Sequence, residues 1–310
     1  QRLAVNSRGD LLAGTFNAGI FSLKDTSAGW EHTLKWRSIY AISVYRNEVF
    51  ASDNGGFLFH STCDGNTWEE FLGENLSETN TKSLLVEPQG HLLLGSEFFG
   101  VYRSTDGGRK WRQSNTGMIN PYVVTISGVE EVLVAGLQTG SIFYSTNEGS
   151  SWFKAGLPKA NAMSVAVDAA GYFYALVNKP GTDFLRSDDR GKTWSSLRQG
   201  LPTTSFSTLM VDGQGEIFVG THGAGLYSST KQGEVWIDRT KEYLDKRITV
   251  VSSPTIGFLY AGTYGGVFRS TDSCETWQPT TLRDMLVVSL LPLGAGEIYA
   301  GTKNDGMFFS

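Results

Sequence analysis

An eight-residue segment that ends in tryptophan recurs along this chain at an almost constant interval. The clearest copy spans residues 104–111 and reads STDGGRKW. Successive tryptophans of this register are separated by 38, 43, 41, 42, 42 and 41 residues, from Trp30 through Trp68, Trp111, Trp152, Trp194 and Trp236 to Trp277. A period near 40 residues is typical of proteins built from stacked or radially arranged repeat units.

The repeated segment has the chemistry of a tight turn. A short acidic side chain accepts backbone N–H bonds, glycine adopts a positive φ, and tryptophan packs between neighbouring sheets. The full pattern Ser-x-Asp-x-Gly-x-Thr-Trp occurs at residues 187–194, whereas Cys63 and Lys231 replace the acid in two copies, whose turns we expect to be looser. We assign the structural role of holding the turn and packing between sheets to three acids and six tryptophans of these segments: Asp106, Asp189, Asp272, Trp68, Trp111, Trp152, Trp194, Trp236 and Trp277.

This pattern resembles the Asp-box, and essentially the whole chain is similar to the Asp-box (BNR-repeat) β-propeller superfamily. That group includes sialidases, xyloglucanase-type glycosidases, sortilin-like receptors and photosystem assembly factors. The resemblance implies a fold in which four-stranded sheets are arranged as blades around a central channel.

Short apolar segments between the turns repeat in the order A, B, C and D. In the third repeat, strand A is predicted at residues 82–87, strand B at 91–95 and strand C at 100–104, and strand D is expected to start at the tryptophan. Strands A, B and C recur eight times and strand D seven times, which gives 31 strands. We therefore predict an all-β chain that forms one β-propeller domain over residues 1–310, with four-stranded blades of about 41 residues.

The strand count favours eight blades, the last one lacking its outer strand. Seven blades are the alternative, because propellers often close their ring by overlapping the two termini in one blade. A third interpretation is that the chain is a piece of a longer protein, in which a segment ahead of Gln1 supplies the missing strand. The edge of the last blade, at residues 306–310, can also pair with another chain, so the oligomeric state stays open.

Composition excludes several classes of partner. The formal net charge is −5 and no uninterrupted basic run is present, which argues against nucleic acid binding. The longest apolar run, residues 285–293, is too short to span a bilayer, so no direct membrane insertion is expected. No signal peptide precedes Gln1, and a mature form trimmed of its export signal is the alternative to a chain without one. The expected location is extracellular or periplasmic, in a secreted or cell-surface protein.

Ligand binding is expected on the B–C and D–A loops, which lie at one end of the channel in a propeller. Aromatic and cationic side chains in these loops suit a sugar or a peptide, although aromatics at such positions also wedge between blades. Trp36 is the one tryptophan outside the repeat register. The candidate ligand-binding residues are Trp36, Arg37, Tyr40, Phe98, Phe99, Tyr122, His222 and Tyr264, with Phe16 as a further exposed-looking aromatic.

A glycoside hydrolase would need two carboxylates facing each other across the scissile bond. Candidates on the same loops are Asp53, Glu97, Asp183, Asp284 and Asp305, and the sequence does not select a pair among them. The Arg-Ile-Pro motif of sialidases is absent, and xyloglucanase-type enzymes, which this chain resembles at residues 261–267, work in a cleft between two propellers.

Three functions follow from these features. The leading hypothesis is a non-catalytic scaffold that binds a glycan or a protein through its loop face. The alternative is a carbohydrate-active enzyme of the glycoside hydrolase type. A third interpretation, an assembly factor, would require a clustered arginine patch, for which the three arginines near the channel mouth, Arg37, Arg247 and Arg283, are too few.

No cofactor or metal is expected. The four histidines, His32, His60, His91 and His222, lie in separate repeats without a second ligand at metal-binding spacing. The two cysteines, Cys63 and Cys274, lie several repeats apart in turn segments, which predicts no disulfide between them and no nucleophilic role for either.

Overall fold

All of the secondary structure in the described part of the chain is β-strand. The structure is a computed structural model that describes residues 2–24, 29–53, 55–71, 76, 81–87, 89–118, 122–129, 132–138, 140–156, 161–179, 181–242, 244–255, 257–292, 298–303 and 306–310. These residues contain 31 strands and no helix, as the repeat pattern predicts. The chain divides into two compact units, Gln1–Ala162 (unit 1) and Met163–Ser310 (unit 2).

Unit 1 contains four sheets, each a meander in which every strand pairs with the next strand along the chain. The strands are, in sheet 1, β1 (Arg2–Val5), β2 (Leu11–Thr15), β3 (Gly19–Leu23) and β4 (Glu31–Lys35); in sheet 2, β5 (Ile39–Tyr45), β6 (Glu48–Asp53), β7 (Leu58–Ser61) and β8 (Glu69–Phe71); in sheet 3, β9 (Thr81–Val86), β10 (Leu92–Ser96), β11 (Gly100–Ser104) and β12 (Arg112–Gln113); and in sheet 4, β13 (Val123–Val129), β14 (Val132–Leu137), β15 (Ile142–Ser145) and β16 (Phe153–Lys154).

Unit 2 repeats the same plan, apart from the first residues of β17, which fall in unit 1. Its strands are, in sheet 5, β17 (Asn161–Val167), β18 (Phe173–Lys179), β19 (Gly181–Ser187) and β20 (Ser195–Ser196); in sheet 6, β21 (Phe206–Val211), β22 (Ile217–Thr221), β23 (Leu226–Ser229) and β24 (Ile237–Asp238); in sheet 7, β25 (Ile248–Thr255), β26 (Phe258–Thr263), β27 (Gly266–Ser270) and β28 (Gln278–Arg283); and in sheet 8, β29 (Val287–Pro292), β30 (Ile298–Thr302) and β31 (Met307–Phe309).

The prediction of an all-β propeller is confirmed. Seven sheets have four strands and are complete blades, and sheet 8 has three strands among the described residues. The sequence prediction was wrong at one boundary, because the outer strand begins after the tryptophan and not at it; β12, for instance, starts at Arg112. The tryptophan side chain turns inward there, while the next residues form an exposed two-residue strand.

The hydrophobic core lies between consecutive sheets. One cluster joins Phe50 and Leu58 of sheet 2 to Leu92, Leu94 and Trp111 of sheet 3. Equivalent clusters join sheets 3 and 4 in unit 1, and sheets 6 and 7 in unit 2. The second strands of sheets 3 and 6 are buried at every position because they are covered from both sides, which explains why their apolar residues are consecutive and do not alternate with polar ones.

The repeated turn is held by two side-chain acceptors. Ser104 Oγ accepts the backbone N–H of Gly108 at 2.8 Å, and Asp106 Oδ1 accepts that of Lys110 at 3.0 Å. Ser104 Oγ also donates to Asp106 Oδ1 at 2.9 Å, which fixes both acceptors relative to each other. The same bonds recur in the turns that begin at Ser187 and Ser270.

The two turns that lack the acid keep their serine bonds. Ser61 Oγ accepts the Gly65 N–H at 2.8 Å, and Ser229 Oγ accepts the Gly233 N–H at 3.0 Å. In the first of them the thiol of Cys63 takes the position of the carboxylate, with Sγ 3.4 Å from Thr67 N. The expected loosening therefore concerns the hydrogen bonds of the acid and not those that the serine accepts.

The tryptophans of the register are buried to different extents. Trp111, Trp152 and Trp277 are buried at 1%, 2% and 3% exposure, whereas Trp30 is 40% exposed. Trp277 also ties its blade to the preceding one, because its Nε1 donates to Arg239 O at 2.7 Å. The turn that carries this last tryptophan holds Cys274 at the glycine position with φ 65°, and Cys274 and Cys63 are both free thiols.

The turn geometry predicts a pH dependence. The backbone N–H and the hydroxyl of Thr193, together with Ser187, lower the pKa of Asp189 from 3.8 to about 2. A carboxylate whose folded-state pKa is depressed stabilises the fold above its unfolded pKa, and that contribution is lost as the pH falls from 3.8 to about 2. We expect Asp189 to titrate near pH 2 in a carboxyl-carbon NMR titration.

A variant and an internal control test the cause. Thr193→Val removes the hydroxyl that donates to Asp189 Oδ2 at 2.7 Å and keeps the backbone donor, so the pKa of Asp189 should rise towards 3.8. Asp272, which has the same two bonds from Thr276, should not respond. Titration of Asp189 near 3.8 in the unaltered protein would contradict the assignment.

Candidate functional site

Four exposed aromatic side chains of unit 1 lie on the B–C and D–A connections, which we call the loop edge of unit 1. In a meander of antiparallel strands these connections lie at the same end of every blade. The exposed fractions are 67% for Phe16, 81% for Trp36, 60% for Phe98 and 40% for Phe99. These side chains are therefore on the surface and not wedged between blades.

Phe16 and Trp36 stand on two loops that are fastened together. The Trp36 N–H donates to Ala18 O at 3.2 Å, and the Asn17 N–H donates to Ser38 Oγ at 3.0 Å. Asn17 and Trp36 both have positive φ, 68° and 59°. A large apolar side chain in this backbone region costs free energy, and such strain is often found at binding sites. The backbones of the two loops are thus held to each other, and we call the two exposed aromatic side chains that they carry the apolar platform.

Arg37 joins this platform to sheet 2. Its guanidinium contacts Asp53 at 3.4 Å and Glu70 at 2.6 Å, and it lies 4.7 Å from the centre of the Phe57 ring. The group is neutralised from two sides and stacked on an aromatic face, so its planar edge is held in one orientation.

Asp53 has a structural function in this arrangement. It is 3% exposed, and its Oδ1 accepts the N–H groups of Gly55 and Phe57, each at 2.9 Å. Burial raises the pKa of this carboxyl above 3.8, against the effect of those two donors and of Arg37. The carboxylate thereby closes the loop between β6 and β7.

We expect Asp53→Ala to lower the free energy of unfolding by about 1 to 3 kcal/mol, because two partly buried N–H groups lose their acceptor and Arg37 loses a buried partner. Asp53→Asn should cost less, since the amide oxygen can still accept both bonds. Denaturant unfolding followed by circular dichroism measures both values. Equal stability of the alanine variant and the unaltered protein would show that the carboxylate does not hold this loop.

A second cluster crosses sheets 2, 3 and 4. Lys82 Nζ lies 5.2 Å from the centre of the Tyr40 ring and 2.9 Å from Glu97 Oε2. Tyr122 donates a short hydrogen bond to Glu97 Oε1, and its ring packs edge-on against Phe98 at 5.9 Å. The bond to Glu97 raises the pKa of Tyr122 to about 12, so the phenol stays protonated and remains a donor at neutral pH.

A cavity of about 280 Å³ lies beside this cluster, over the first strands of three consecutive blades. It is lined by Tyr40, Ala41, Ile42, Lys82, Ser83, Leu84, Val124 and Thr125. Its volume is at the lower end of the range of small-molecule sites. A mostly polar lining that includes one ammonium and one phenol is suited to part of an extended ligand.

The candidate residues of unit 2 form separate contacts. The Arg247 guanidinium lies 4.9 Å from the centre of the Tyr264 ring and pairs with Asp245 at 3.1 Å. His222 forms a single β-bridge with Arg247. Asp183 Oδ1 accepts from the Phe184 N–H and from Ser196 Oγ, each at 2.9 Å.

Two acidic candidates remain, Asp284 and Asp305. Asp284 is exposed with φ 58°, and its N–H donates to Gly265 O at 3.0 Å. Asp305 lies outside the described residues. Of the three arginines considered for a patch, Arg37 lies in unit 1, whereas Arg247 and Arg283 lie in unit 2.

Sequence reasoning missed two members of the site, Lys82 and Phe57. Lys82 opens an apolar strand and was not distinguished from a surface lysine. Phe57 follows a glycine pair, and nothing in its sequence surroundings indicates a cation partner. Both act through partners about 15 to 40 residues away, such as Glu97 and Arg37, and no local spacing connects them.

No helix in the described part of the chain is long and apolar enough to cross a membrane.

Comparison with known proteins gives structural similarity only. No protein-family model matches the chain, and no curated protein sequence does. A YCF48 protein bound to a D1 peptide is 14% identical, with a TM-score of 0.67 over 88% of this chain and 92% of that one. The GH74 xyloglucanase of Xanthomonas campestris is 18% identical, with a TM-score of 0.64 over 99% of this chain and 58% of the enzyme.

A third solved structure is the extracellular domain of BT4673 from B. thetaiotaomicron, a hybrid two-component system. It is 15% identical, with a TM-score of 0.63 over 99% of this chain and 52% of that one. This chain therefore spans little more than half the length of the xyloglucanase and of the BT4673 domain. Together, the similarities show that the chain has the β-propeller fold.

Proposed function

We propose that this chain is a non-catalytic binding propeller whose loop edge in unit 1 holds an extended glycan. The observation that carries the proposal is the set of exposed aromatics on fastened loops, Phe16 and Trp36 on sheet 1 and Phe98 on sheet 3. Aromatic faces stack on the apolar faces of sugar rings, and the charged groups between them orient hydroxyls. The repeated turns are, on this proposal, Asp-box turns with a structural role.

The surroundings of the acidic residues favour binding over hydrolysis. Asp53 closes a loop and pairs with Arg37, and Glu97 is held by Lys82 and Tyr122. A general acid in a glycosidase needs a proton to donate and access to the glycosidic oxygen. Carboxylates committed to internal partners provide neither without rearrangement.

A peptide is the second candidate ligand. The similar YCF48 structure is one bound to a D1 peptide, and that chain is matched over 92% of its length. On this chain the alternating charges of Arg37, Glu70, Lys82 and Glu97 would suit a peptide with both signs of charge. The ligand test below therefore includes peptides.

Location and partners follow from the same proposal. A secreted, cell-surface or periplasmic protein meets polysaccharides directly, and the BT4673 neighbour is an extracellular domain. The net charge of −5 leaves nucleic acid outside the proposed partners.

The test is a panel of plant, algal and animal polysaccharides, scored in two ways. Retention in affinity gels measures binding, and release of reducing ends over a day at several pH values measures hydrolysis. We expect retention by at least one polysaccharide and release from none. Release from any member would establish an enzyme and overturn the proposal, and Asp53→Asn, Glu97→Gln, Asp183→Asn, Asp284→Asn and Asp305→Asn would then identify the acids.

A second panel, tested with the same protein, distinguishes a glycan ligand from a peptide ligand. Mixed-charge peptides immobilised on a sensor surface should give no saturable binding if the ligand is a glycan. Binding to peptides together with no retention by any polysaccharide would replace the glycan proposal with the peptide one.

A further inference from the structure

Three side chains with metal-binding atoms converge at the opposite end of unit 1, on the side of the repeated turns. They are Glu87 from the turn between β9 and β10, His91 at the end of that turn, and Glu148 from the repeated turn of sheet 4. Their ligand atoms all lie within 4.8 Å of one another. None of the three belongs to the loop edge described above.

Glu87 departs from the way in which equivalent residues are used in the other blades. In three other blades Asn6, Asp168 and Asp212 occupy this position, and the side-chain oxygen accepts backbone N–H bonds from the second and fourth residues that follow. The turn at Glu87 has the same backbone bonds, from Glu87 N to His91 O and from Gly90 N to Glu87 O. Its side chain is one methylene longer and does not form the cap.

The carboxylate of Glu87 is instead buried without a hydrogen bond. The residue is 2% exposed, and neither oxygen has a hydrogen-bond partner among the residues that the structure describes. His91 Nδ1 lies 3.4 Å from its Oε2. A buried carboxylate without a donor is costly, and it is normally compensated by a cation.

The contacts of His91 indicate that its Nδ1 atom carries no proton, so a cation can bind to this atom. Arg103 Nη2 lies 3.0 Å from His91 Nδ1 and 2.7 Å from Glu148 Oε2. A guanidinium can only donate, so Nδ1 accepts from Arg103 with its one lone pair, and a metal ion bound to Nδ1 would replace that hydrogen bond. That lone pair then faces two carboxylates, with Glu148 Oε2 at 3.1 Å. A metal ion bound by all three atoms would remove both repulsions.

We propose that Glu87, His91 and Glu148 bind a divalent transition-metal ion, for which Zn²⁺ is the probe. Two ligand atoms on a tetrahedral zinc are about 3.4 Å apart, given metal–ligand distances of about 2.1 Å. The observed separations from His91 Nδ1 are 3.4 and 3.1 Å. One imidazole and two carboxylates form a set that suits zinc better than calcium, which prefers oxygen ligands throughout.

The site is accessible and its charge is suitable. The side chains of His91 and Glu148 are 24% and 28% exposed, which gives an ion a path from solvent. Two carboxylates and the Arg103 guanidinium leave one uncompensated negative charge around a neutral His91. Arg103 can stay with Glu148 and orient it, as the outer partners of metal ligands commonly do.

The first experiment is a zinc titration of the untagged, chelator-treated chain by calorimetry, with thermal unfolding in parallel. We expect one equivalent to bind and the melting temperature to rise with zinc concentration, since an ion that binds only the folded state stabilises it. His91→Gln should weaken zinc binding by at least about tenfold, because the loss of an outer partner alone typically costs that much. His60→Gln, at a histidine paired with one carboxylate, is the matched control and should bind as the unaltered protein does.

Glu87→Asp separates a ligand from a structural residue. The shorter side chain should retract to cap the turn as Asp168 does, so zinc affinity should fall at least about tenfold while the metal-free protein is no less stable. No saturable zinc binding by the unaltered protein, or undiminished binding by both Glu87→Asp and His91→Gln, would overturn the proposal. Stabilisation by mild acid in place of zinc would identify a proton as the occupant and would also overturn it.

Discussion

Replacing Trp36 and Phe98 together with alanine is expected to abolish ligand binding by the loop edge while the protein stays folded. The two side chains are 81% and 60% exposed, so their removal exposes little new apolar surface. Each aromatic anchor of an interface typically contributes about 2 kcal/mol or more, and two such losses correspond to a fall in affinity of about 700-fold or more. The unfolding free energy should change by no more than about 0.5 kcal/mol per site, as at other surface positions.

The measurement uses whichever polysaccharide or peptide the unaltered protein retains. Phe153→Ala is the matched control, because Phe153 is an aromatic with 52% exposure on the outer strand β16 of the same unit, away from the loop edge. The control should bind normally. Normal binding by the double variant would rule out the platform, and a large fall in its melting temperature would show that the two residues support the core.

The largest stability effect is expected for Trp111→Ala. Trp111 is 1% exposed, its Nε1 donates to Gly108 O at 2.8 Å, and its ring packs with Phe50, Leu58 and Leu92. Removing a buried tryptophan typically lowers the free energy of unfolding by about 3 to 5 kcal/mol, because contacts are lost and a cavity is left. The ring lies between sheets 2 and 3, so the loss should loosen both.

Trp30→Ala is the control for this substitution. Trp30 has the same position in the repeat register but is 40% exposed, and its removal should cost less than about 1 kcal/mol. Guanidinium unfolding followed by circular dichroism gives both values. A similar cost for the two variants would mean that the register position alone, and not burial between sheets, determines the contribution of the tryptophan.

The fold was predictable because the same turn and strand pattern recurs along the chain. Each copy carries its own turn chemistry and apolar strands, so the 31 strands could be counted from the sequence. The start of the outer strand could not be placed, since the tryptophan side chain satisfies strand patterning while its backbone still belongs to the turn. Trp36 was singled out from its place outside the register, and it is the most exposed large apolar side chain among those described.

The polar networks could not be predicted, because they form between blades. Asp53 was a candidate catalytic acid from its place after a strand, and only the structure shows that it closes its own loop and pairs with Arg37. His91 was not connected with these carboxylates, although Glu87 lies only four residues before it, because no local spacing links the turn of sheet 3 to that of sheet 4. Its partner Glu148 is 57 residues away and is brought close by the packing of sheet 4 on sheet 3.

The placement of the core between consecutive sheets has a consequence for how this molecule comes apart. Among the described residues, each cluster of buried side chains contains residues of two neighbouring sheets, so the hydrophobic core does not lie within a single sheet. The packing contribution to the free energy of unfolding therefore comes from the contacts between neighbouring sheets. A blade that loses one neighbour loses about half of that contribution, as in other repeat arrays. A substitution that destabilises one blade should then destabilise the two neighbouring blades most and more distant blades less. Cooperativity within each unit is therefore a nearest-neighbour property.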